Sequence, residues 1–353
     1  MTHLSKMCRD YLLFRKKIFL QKTDIPKKII RMIKKRRLPY DKIKNEINNR
    51  IVEYFQVKPR RINLFAETLL HILFEIEIDK KMILVCKINK LPNSYGGLSI
   101  YLDDIVKHIM QKIRLPFPHI YRVNTLDKKL GFSYEILDKI SSNKISTLAN
   151  KNELCESVFY LGKMCGVYHS STFDFFGHID VCSYLKGKRV IGCYERWSTY
   201  IFTNLDKHIR ICERIGAIDY HEAEKILRKF DYKEVFDIEK GSLLHGDLGN
   251  HNAFIEKNKV TLIDWEDAII GDPLYDIAYW GSFTPNEDLK IFSSFIKGYT
   301  SVKSLPHDWK IKYWLYYLRI ALAKTIHRYL FDYTELKEYK IKRALKELDE
   351  IGI

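Results

Sequence analysis

The chain has 353 residues, of which 46% are hydrophobic, and a formal net charge of +16. That apolar share supports a folded core and excludes a largely disordered protein. No run of about 18 apolar residues occurs, and the first residues lack an apolar stretch, so we expect neither a membrane span nor a secretory signal. The seven cysteines are scattered and form no Cys-x-x-Cys pair, which indicates reduced thiols and a cytoplasmic protein.

Residues 1–60 are predicted to form a basic helical extension that is interrupted at Pro26, Pro39 and Pro59. Much of its positive charge lies in residues 27–37. This run has no interleaved aromatic residues, so a solvated helix face is favoured over a nucleic-acid-binding arm. A nucleic-acid partner stays an alternative, and it predicts salt-dependent binding that is lost when the basic run is deleted.

Residues 61–138 are predicted to form a small N-terminal lobe. Residues 70–78 alternate between apolar and polar side chains and, with residues 82–88, predict two strands joined by a turn. Residues 101–113 predict a helix, and residues 132–137 predict a further strand that leads to a linker.

Residues 139–353 are predicted to form a larger, mainly helical lobe. Apolar residues recur every three or four positions across residues 154–168, which is one face of a helix. Residues 195–240 predict helices that are broken at Gly216. A basic helix across residues 337–350 is the last predicted element.

The most informative stretch is residues 245–264, which begins His-Gly-Asp-Leu-Gly-Asn-His-Asn. Asp247 is followed five positions later by Asn252, and Asp264 ends a short apolar run. In phosphoryl transfer, one carboxylate accepts the proton of an attacking hydroxyl, while an amide oxygen and a second carboxylate hold Mg²⁺. The pattern therefore predicts Asp247 as the catalytic base and Asn252 and Asp264 as Mg²⁺ ligands.

The residues after Asn252 predict how the two metal ligands meet. Residues 253–255 and 260–263 are typical of two strands that are joined by the turn at residues 256–259. Such a hairpin carries Asn252 and Asp264 at the same end. Each of these residues alone is most often a cap or a surface acid, and it is their joint spacing that favours a site.

Residues 243–280 resemble the aminoglycoside phosphotransferase family, whose signature is HGDxxxxN, then IDWE or IDFE, then GDPxxDLA. The three motifs appear here at residues 245–252, 263–266 and 271–278. The resemblance is specific in this stretch and diffuse over residues 65–345, where the C-terminal part is most similar to the hygromycin phosphotransferase branch. It implies an α+β, bilobal, protein-kinase-like fold with a small β-rich nucleotide-binding lobe and a larger helical lobe that binds the acceptor.

The resemblance also implies roles for residues of the small lobe. Lys87, near the end of the second predicted strand, would hold the inner phosphates and needs an acidic partner from the next helix. Asp103 and Asp104 are the candidates, and we expect Asp104. An exposed strand lysine remains the alternative for Lys87, because the chain is rich in lysine.

Three residues are expected at the hinge between the lobes, where backbone groups would bind the adenine edge: Glu135, Ile136 and Leu137. ATP is the expected nucleotide, and GTP remains possible. In the family, the carboxylates that correspond to Asp272 and Asp276 brace the catalytic loop.

An aminoglycoside is the expected acceptor, and this polycation requires an acidic pocket. Glu266 and Asp267 are candidates for its lining, and Trp280 is a candidate for stacking on a sugar ring. Residues 195–240 would supply a wall, with further acids at Asp219, Glu222 and Glu224. The net charge of +16 repels a cation at long range.

Other functions therefore stay open. The acceptor could be a choline-like, homoserine-like or polyol alcohol, and the chain could be a nucleotide-binding pseudo-enzyme. A protein kinase fits less well, because only seven residues separate Asp264 from Asp272 and leave no room for a long activation segment. Gly246 also replaces the arginine that protein kinases use beside the catalytic aspartate. The oligomeric state is not predicted.

Overall fold

The computed structural model describes residues 3–35, 39–68, 70–92, 97–124, 132–231, 233–283 and 288–353. Arg36 and Arg37, which belong to the predicted basic run, lie outside the described residues. The chain forms the predicted α+β architecture, with a five-stranded sheet in its N-terminal part and a mostly helical remainder. Among the described residues, no helix is both long and apolar enough to cross a membrane.

Four helices precede the first strand: α1 (His3–Arg15), α2 (Gln21–Asp24), α3 (Lys27–Lys35) and α4 (Tyr40–Phe55). They do not pack together as one unit. Helix α4 buries Ile43, Ile47 and Ile51, spaced four residues apart, against the sheet of the small lobe. Tyr11 of α1 and Phe19 pack instead into the core of the large lobe. The charged residues of α3 face solvent, as the prediction of a solvated basic face requires.

The small lobe is an antiparallel sheet in the order β1-β2-β3-β5-β4. Its strands are β1 (Arg61–Glu67), β2 (His71–Glu77), β3 (Ile83–Asn89), β4 (Ile120–Asn124) and β5 (Ser133–Asp138). Strand β2 alternates between buried and half-buried side chains, which is the pattern that predicted it. Helix α5 (Tyr101–Lys112) lies between β3 and β4 in the chain and carries two acids in its first turn.

The large lobe contains the remaining elements. They are β6 (Asn143–Lys144), α6 (Lys151–Tyr168), β7 (Thr172–Phe173), β8 (Phe176–Ile179), α7 (Val181–Gly187), β9 (Gly192–Tyr194), α8 (Trp197–Ile201), α9 (Leu205–Arg214), α10 (Tyr220–Lys229), β10 (Gly241–Leu244), β11 (Ala253–Glu256), β12 (Lys259–Leu262), β13 (Ile269–Gly271), α11 (Pro273–Phe283), α12 (Leu289–Thr300), α13 (Trp309–Leu330) and α14 (Tyr339–Ile351). Their apolar faces share one core, in which α6 packs on α12 and α13 packs on α11 and α14.

Two strand pairs determine where the loops after β10 and after β12 lie. Strand β10 pairs with β13, and β11 pairs with β12 in the register Ala253 opposite Leu262. The loop before β11 and the loop after β12 therefore start from neighbouring strand ends. The backbone N–H of Ile263 also donates to the Asn252 carbonyl over 3.0 Å. The hairpin predicted from the sequence is thus present, and it places residues 252 and 264 at one end.

Candidate active site

A cavity of about 490 Å³ lies between the two lobes, which is the size range of small-molecule sites. Its small-lobe wall includes Leu73 and Val85, and its large-lobe wall includes Phe254 and Ile263. A largely apolar cavity between two such walls suits an aromatic group. Lys87 lies at one end of the cavity, together with several carboxylates.

Lys87 is buried and contacts four carboxylates. Its Nζ lies 2.8 Å from Asp264 Oδ1, 3.1 Å from Glu266 Oε1, 3.5 Å from Asp103 Oδ2 and 3.7 Å from Glu135 Oε1. Lys87 is therefore not the exposed strand lysine that the composition allowed. Through these ion pairs, Lys87 of β3 links α5, β5 and the loop after β12.

Burial and the charges within this cluster shift the pKa values of Lys87 and Glu135. Burial alone would lower the pKa of the Lys87 ammonium, but the attraction of the carboxylates, Asp264 first, raises that pKa well above its ordinary value. Burial and the neighbouring Asp103 carboxylate raise the pKa of Glu135 well above its ordinary value. The site thus holds a permanent cation beside a carboxyl group that resists ionisation.

The partner of Lys87 on α5 is Asp103, and the prediction of Asp104 is wrong. The Asp103 carboxylate is buried, and it also accepts the backbone N–H of Trp265 over 3.2 Å. Asp104 lies 3.6 Å from Lys107 and accepts the Tyr184 hydroxyl over 3.3 Å. Successive helix residues point about 100° apart, so a shift of one residue turns the carboxylate out of the cleft.

Glu266 belongs to the Lys87 cluster, and the prediction that it lines the acceptor pocket is wrong. Its carboxylate is buried, lies 2.8 Å from His71 Nε2 and accepts hydrogen bonds from Asn89 and Ser99. These partners all belong to the small lobe. Glu266 therefore fastens the large-lobe loop to the small-lobe sheet.

The hinge contacts also differ from those predicted. Strand β5 lies between β3 and β4, so the backbone groups of Glu135, Ile136 and Leu137 pair with these neighbours. Glu135 and Leu137 line the cavity through their side chains, whereas Ile136 is buried in the small-lobe core. Lys139 and Ile140, which follow the strand and also line the cavity, were missed. An interior strand has no spare backbone groups, and its end is difficult to place from sequence alone.

Asp247 lies on the loop after β10 and is 6% exposed. The hydroxyl of Tyr279, on α11, donates to its Oδ1 over 2.5 Å, and Nζ of Lys324, on α13, lies 3.5 Å from the same oxygen. Burial and the Asp247 carboxylate raise the pKa of Tyr279 well above its ordinary value, so this hydroxyl stays a donor. Two side chains from separate helices thereby fix the orientation of the carboxylate.

Asp276 braces the loop that carries Asp247. Its buried carboxylate accepts the backbone N–H groups of His245 over 2.6 Å and of Gly246 over 3.0 Å. It also accepts the Tyr168 hydroxyl over 2.9 Å and lies 3.3 Å from His169 Nε2. Burial would raise the pKa of Asp276, but the bond to His169 and its other partners lower it. The bracing role implied for Asp276 matches these contacts.

Gly246 has a backbone that other residues rarely adopt. Its φ is +76°, and a Cβ added there would lie 2.0 Å from the Asp267 carbonyl oxygen. We expect Gly246→Ala to lower the free energy of unfolding by about 2–5 kcal/mol, because left-handed strain adds to overpacking. Gly216→Ala is the matched control, since Gly216 has φ +73° and nothing within 4 Å of an added Cβ. Urea denaturation should show a loss of only about 1–2 kcal/mol for that control. Equal losses would contradict the proposed clash.

Asn252 and Asp264 offer oxygen donors at the end of the β11–β12 hairpin. The Asn252 side-chain amide donates to the Asp247 carbonyl over 3.0 Å, which ties Asn252 to the loop that carries Asp247. Asp264 has φ +65°, and its side chain is 33% exposed towards the cleft. The described residues contain no group of three or more His, Cys, Asp or Glu side chains that could hold a metal. The donor set fits Mg²⁺, which binds through one or two carboxylates and the phosphates of its substrate.

A second cavity, of about 240 Å³, opens on Asp247. The described residues that line it come from α11, α13, α14 and the segments beside them: Asp247, His251, Ser282, Phe283, Ala321, Lys324, Thr325, His327, Arg328, Tyr333, Leu336, Lys337 and Lys340. Asp247 is the only carboxylate among them. The acidic lining predicted for an aminoglycoside is therefore not found in the described part of this pocket.

The other predicted acceptor residues lie elsewhere. Trp280 is fully buried, stacks on Phe295 with ring centroids 4.1 Å apart, and donates its Nε1–H to Asn250, so the predicted stacking on a sugar is wrong. Asp267 is not among the described lining residues. Asp219 and Glu222 instead form the capping box of α10. The described lining contains no residue from 195–240.

Comparison with known proteins agrees with this geometry. Residues 237–339, which include the loop that carries Asp247 and the β11–β12 hairpin, match the family model described as the phosphotransferase enzyme family. By sequence, none of the curated proteins matches the chain significantly.

Several solved structures share the fold. A thermostable mutant of the aminoglycoside phosphotransferase APH(4)-Ia, in ternary complex with ADP and hygromycin B, is 18% identical with a TM-score of 0.62, over 87% of this chain and 97% of that one. A putative fructosamine-3-kinase from Thermobifida fusca YX-ER1 is 16% identical with a TM-score of 0.62, over 86% and 99%. The streptomycin–ATP complex of APH(2'')-IIa is 14% identical with a TM-score of 0.57, over 87% and 98%.

The fold is therefore that of the kinase-like phosphotransferases. The family match over the catalytic segment, together with this fold, supports a small-molecule kinase. The hygromycin and fructosamine-3-kinase relatives match with equal TM-scores, so the hygromycin branch is not singled out.

Proposed function

We propose that the protein transfers the γ-phosphoryl group of ATP to a hydroxyl of a small molecule that binds beside Asp247. The observation that carries this proposal is the arrangement of two cavities around one hairpin and its loops. The larger cavity is lined by Lys87 and Asp264, and the smaller one by Asp247. Asn252 bonds to the loop that carries Asp247 and lies at the hairpin end that carries Asp264.

The larger cavity suits a nucleotide. The purine would lie between the apolar walls, near the residues that follow β5, and the triphosphate would extend towards Lys87. The Lys87 ammonium is permanently charged and held in place by its carboxylates, so it can bind phosphate oxygens without a change of protonation. The described lining residues do not favour adenine over guanine, so the assay uses both ATP and GTP.

Asn252 and Asp264 would hold Mg²⁺ in this site. When bound, the ion neutralises charge on the phosphate oxygens and orients them. The bond from the Asn252 amide to the Asp247 carbonyl fixes the distance between this ligand pair and the catalytic loop.

Asp247 would orient the acceptor hydroxyl and accept its proton during the transfer. Its carboxylate is already oriented by Tyr279 and Lys324, so little rearrangement is needed when the acceptor binds. The loose transition state of phosphoryl transfer asks mainly for positioning and charge neutralisation, and the residues around both cavities supply these.

The sequence favoured an aminoglycoside acceptor, and relatives with the same fold were solved with hygromycin B and with streptomycin. The described lining beside Asp247 is cationic, however, and a cation in such a pocket is repelled at short range. The proposal is therefore a small-molecule kinase whose acceptor need not be an aminoglycoside. A nucleotide-binding pseudo-enzyme is the alternative from a different class.

The test is an ADP-release assay with purified protein, Mg²⁺ and either ATP or GTP. The acceptor panel contains sugars, sugar phosphates, polyols, choline, homoserine, kanamycin and hygromycin B. We expect one group of acceptors to stimulate ADP release, and removal of Mg²⁺ with EDTA to abolish it. Nucleotide binding without stimulation by any member of the panel would count against the kinase and favour the pseudo-enzyme.

A further inference from the structure

The described lining of the pocket beside Asp247 contains four cationic side chains, three from two helices and one from the segment between these helices. Lys324 and Arg328 lie one helical turn apart on α13, Lys337 precedes α14, and Lys340 lies in the first turn of α14. All four are half-buried and line the cavity. Asp247 is the only acid among the described residues of this lining.

Two of these cations lie over the same aromatic ring, that of Phe283. Nζ of Lys324 lies 4.7 Å and Nζ of Lys340 lies 5.5 Å from the ring centroid of Phe283. Lys340 also donates to the Ser282 carbonyl, and Arg328 donates to the Glu335 carbonyl. These contacts fix the positions of the cations without neutralising them, because carbonyl groups and rings carry no net charge.

Within the described residues, carboxylate partners are found at the far end of α14 but not for three of these four cations. Within the described residues, no ion pair joins Arg328, Lys337 or Lys340 to an acid. At the other end of α14, Asp349 lies 2.6 Å from Lys229 and also pairs with Lys225. The cationic pocket is thus a local feature and does not simply follow from the high lysine content.

The fold itself opposes this arrangement. Like charges one helical turn apart, as at Lys324 and Arg328, destabilise a helix. Cations at the start of a helix, as at Lys337 and Lys340, oppose its dipole, which favours anions there. Burial, then the charges of Lys337, Arg328, Lys324 and Arg343, lowers the pKa of Lys340 to about 8. A bound anion would relieve each of these unfavourable terms.

The size of the cavity limits the ligand. At about 240 Å³ it falls below the range of about 300–1,000 Å³ that is typical for drug-sized ligands. A molecule of one ring or a short chain suits this volume better than an aminoglycoside of several rings. Its hydroxyl must reach Asp247, while the cations of α13 and α14 surround the rest of it.

We propose that the acceptor is a small hydroxylated anion, of the sugar phosphate or sugar acid type, whose anionic group binds Lys337 and Lys340. The inference rests on the proposed kinase function for its reaction, whereas the binding of the anion does not require turnover. In the transfer, the acceptor oxygen bonds to the γ-phosphorus while the bond from this phosphorus to the bridging oxygen breaks. ADP leaves with that oxygen and its electron pair, and the hydroxyl proton passes to Asp247.

The first experiment compares acceptors that differ in charge. Ribose is matched with ribose 5-phosphate, and glucose is matched with glucose 6-phosphate, gluconate and glucosamine. Isothermal titration in the presence of Mg²⁺–ADP measures binding, and ADP release from Mg²⁺–ATP measures turnover. We expect the anion of each set to bind at least about tenfold more tightly than its neutral partner, since hydrogen bonds to charged groups are the stronger ones.

The second experiment uses variants. Lys340→Gln and Lys337→Gln should each weaken binding of the anion by about 10- to 100-fold and leave the Kd of Mg²⁺–ATP within about twofold, because the triphosphate would lie at Lys87. Lys346→Gln is the matched control, since it removes the same charge from an α14 side chain that is 77% exposed and pairs with Glu350. It should change neither constant. Two separate variants guard against the misfolding of one.

A pH series adds an independent readout. The Lys340 ammonium, which faces Lys337, Arg328, Lys324 and Arg343, loses its proton near pH 8 in the free protein. The Kd of the anion should therefore rise between about pH 7 and about pH 9 in the wild type, and less in Lys340→Gln.

The outcomes separate the two proposals. Lys340-dependent binding of an anion without any ADP release overturns the kinase function and leaves the anion site standing. ADP release that is stimulated equally well by ribose or by glucosamine supports the kinase and overturns the anionic acceptor. Binding of no anion in the panel, or unchanged binding in both variants, also overturns the anionic acceptor.

Discussion

Asp247→Ala is expected to lower acceptor-dependent ADP release by about 10²–10⁴-fold, the usual contribution of a general base. The Kd of Mg²⁺–ATP should stay within about twofold, because Lys87 and Asp264 line the nucleotide cavity and Asp247 does not. The loss should appear in kcat, since Asp247 would act on the hydroxyl during transfer. Steady-state kinetics and nucleotide titration measure the two constants separately.

Asp247→Asn keeps the shape of the side chain and should lose nearly as much activity as the alanine variant, because an amide does not accept the proton. Asp174→Asn is the control for removing a carboxylate, as its side chain is 68% exposed and pairs with the surface residue Lys240. It should retain full activity. Unchanged turnover in Asp247→Ala would reject the assignment of the base.

Lys87→Met is expected to lower the free energy of unfolding by about 3–5 kcal/mol near pH 8. Lys87 is the cation among the carboxylates of Asp103, Glu135, Asp264 and Glu266. Without it, like charges remain buried and close together. The variant should also bind Mg²⁺–ATP much more weakly, since the phosphates lose their lysine.

The deficit of Lys87→Met should depend on pH with a definite sign. In the variant, Asp103 and Glu135 should have pKa values further above those of the unfolded chain, because burial already raises both and the opposing attraction of the Lys87 ammonium is lost. The folded state then binds more protons than the unfolded state, so stability falls as pH rises through those pKa values. Urea denaturation should therefore show a smaller loss near pH 5 than near pH 8.

Lys34→Met is the control for this experiment. Lys34 pairs with Asp332 at the surface, where the two side chains are 44% and 82% exposed, so the loss should stay below about 1 kcal/mol. A similar small loss for Lys87→Met at both pH values would show that the cluster does not depend on its lysine.

Much of the site could be predicted from the sequence because its parts are local. Asp247, Asn252 and Asp264 lie within eighteen residues on a loop and a hairpin, and a short-range pattern of apolar runs and a turn predicts that hairpin. Strands β2 and β3 and helix α6 were found for the same reason. Strand β1 was missed, since its side chains are mostly exposed or half-buried and give no clear alternation.

The wrong predictions concern contacts between segments that are far apart in the chain. One residue of helix register separates Asp103, which faces Lys87, from Asp104, which does not. The Glu266 carboxylate and the Trp280 ring are of types that could bind an acceptor. In the structure, Glu266 instead pairs with His71 of the small lobe, and Trp280 stacks on Phe295. The spacing of residues along the chain does not predict these contacts, because it does not show which face of each helix or strand packs against another segment.

The sequence by itself determined the class of chemistry, because the phosphoryl-transfer residues are held at fixed spacing by short-range backbone structure. The tertiary structure alone decided the cationic character of the pocket that is proposed to bind the acceptor. Lys324 and Lys340 come from helices far along the chain from Asp247, and in a lysine-rich sequence no local pattern distinguishes them from solvated surface lysines. The packing of α11, α13 and α14 brings these cations together around one cavity. Many residues of the chain are cationic, so it is the position of these side chains, and not their charge alone, that could select a ligand.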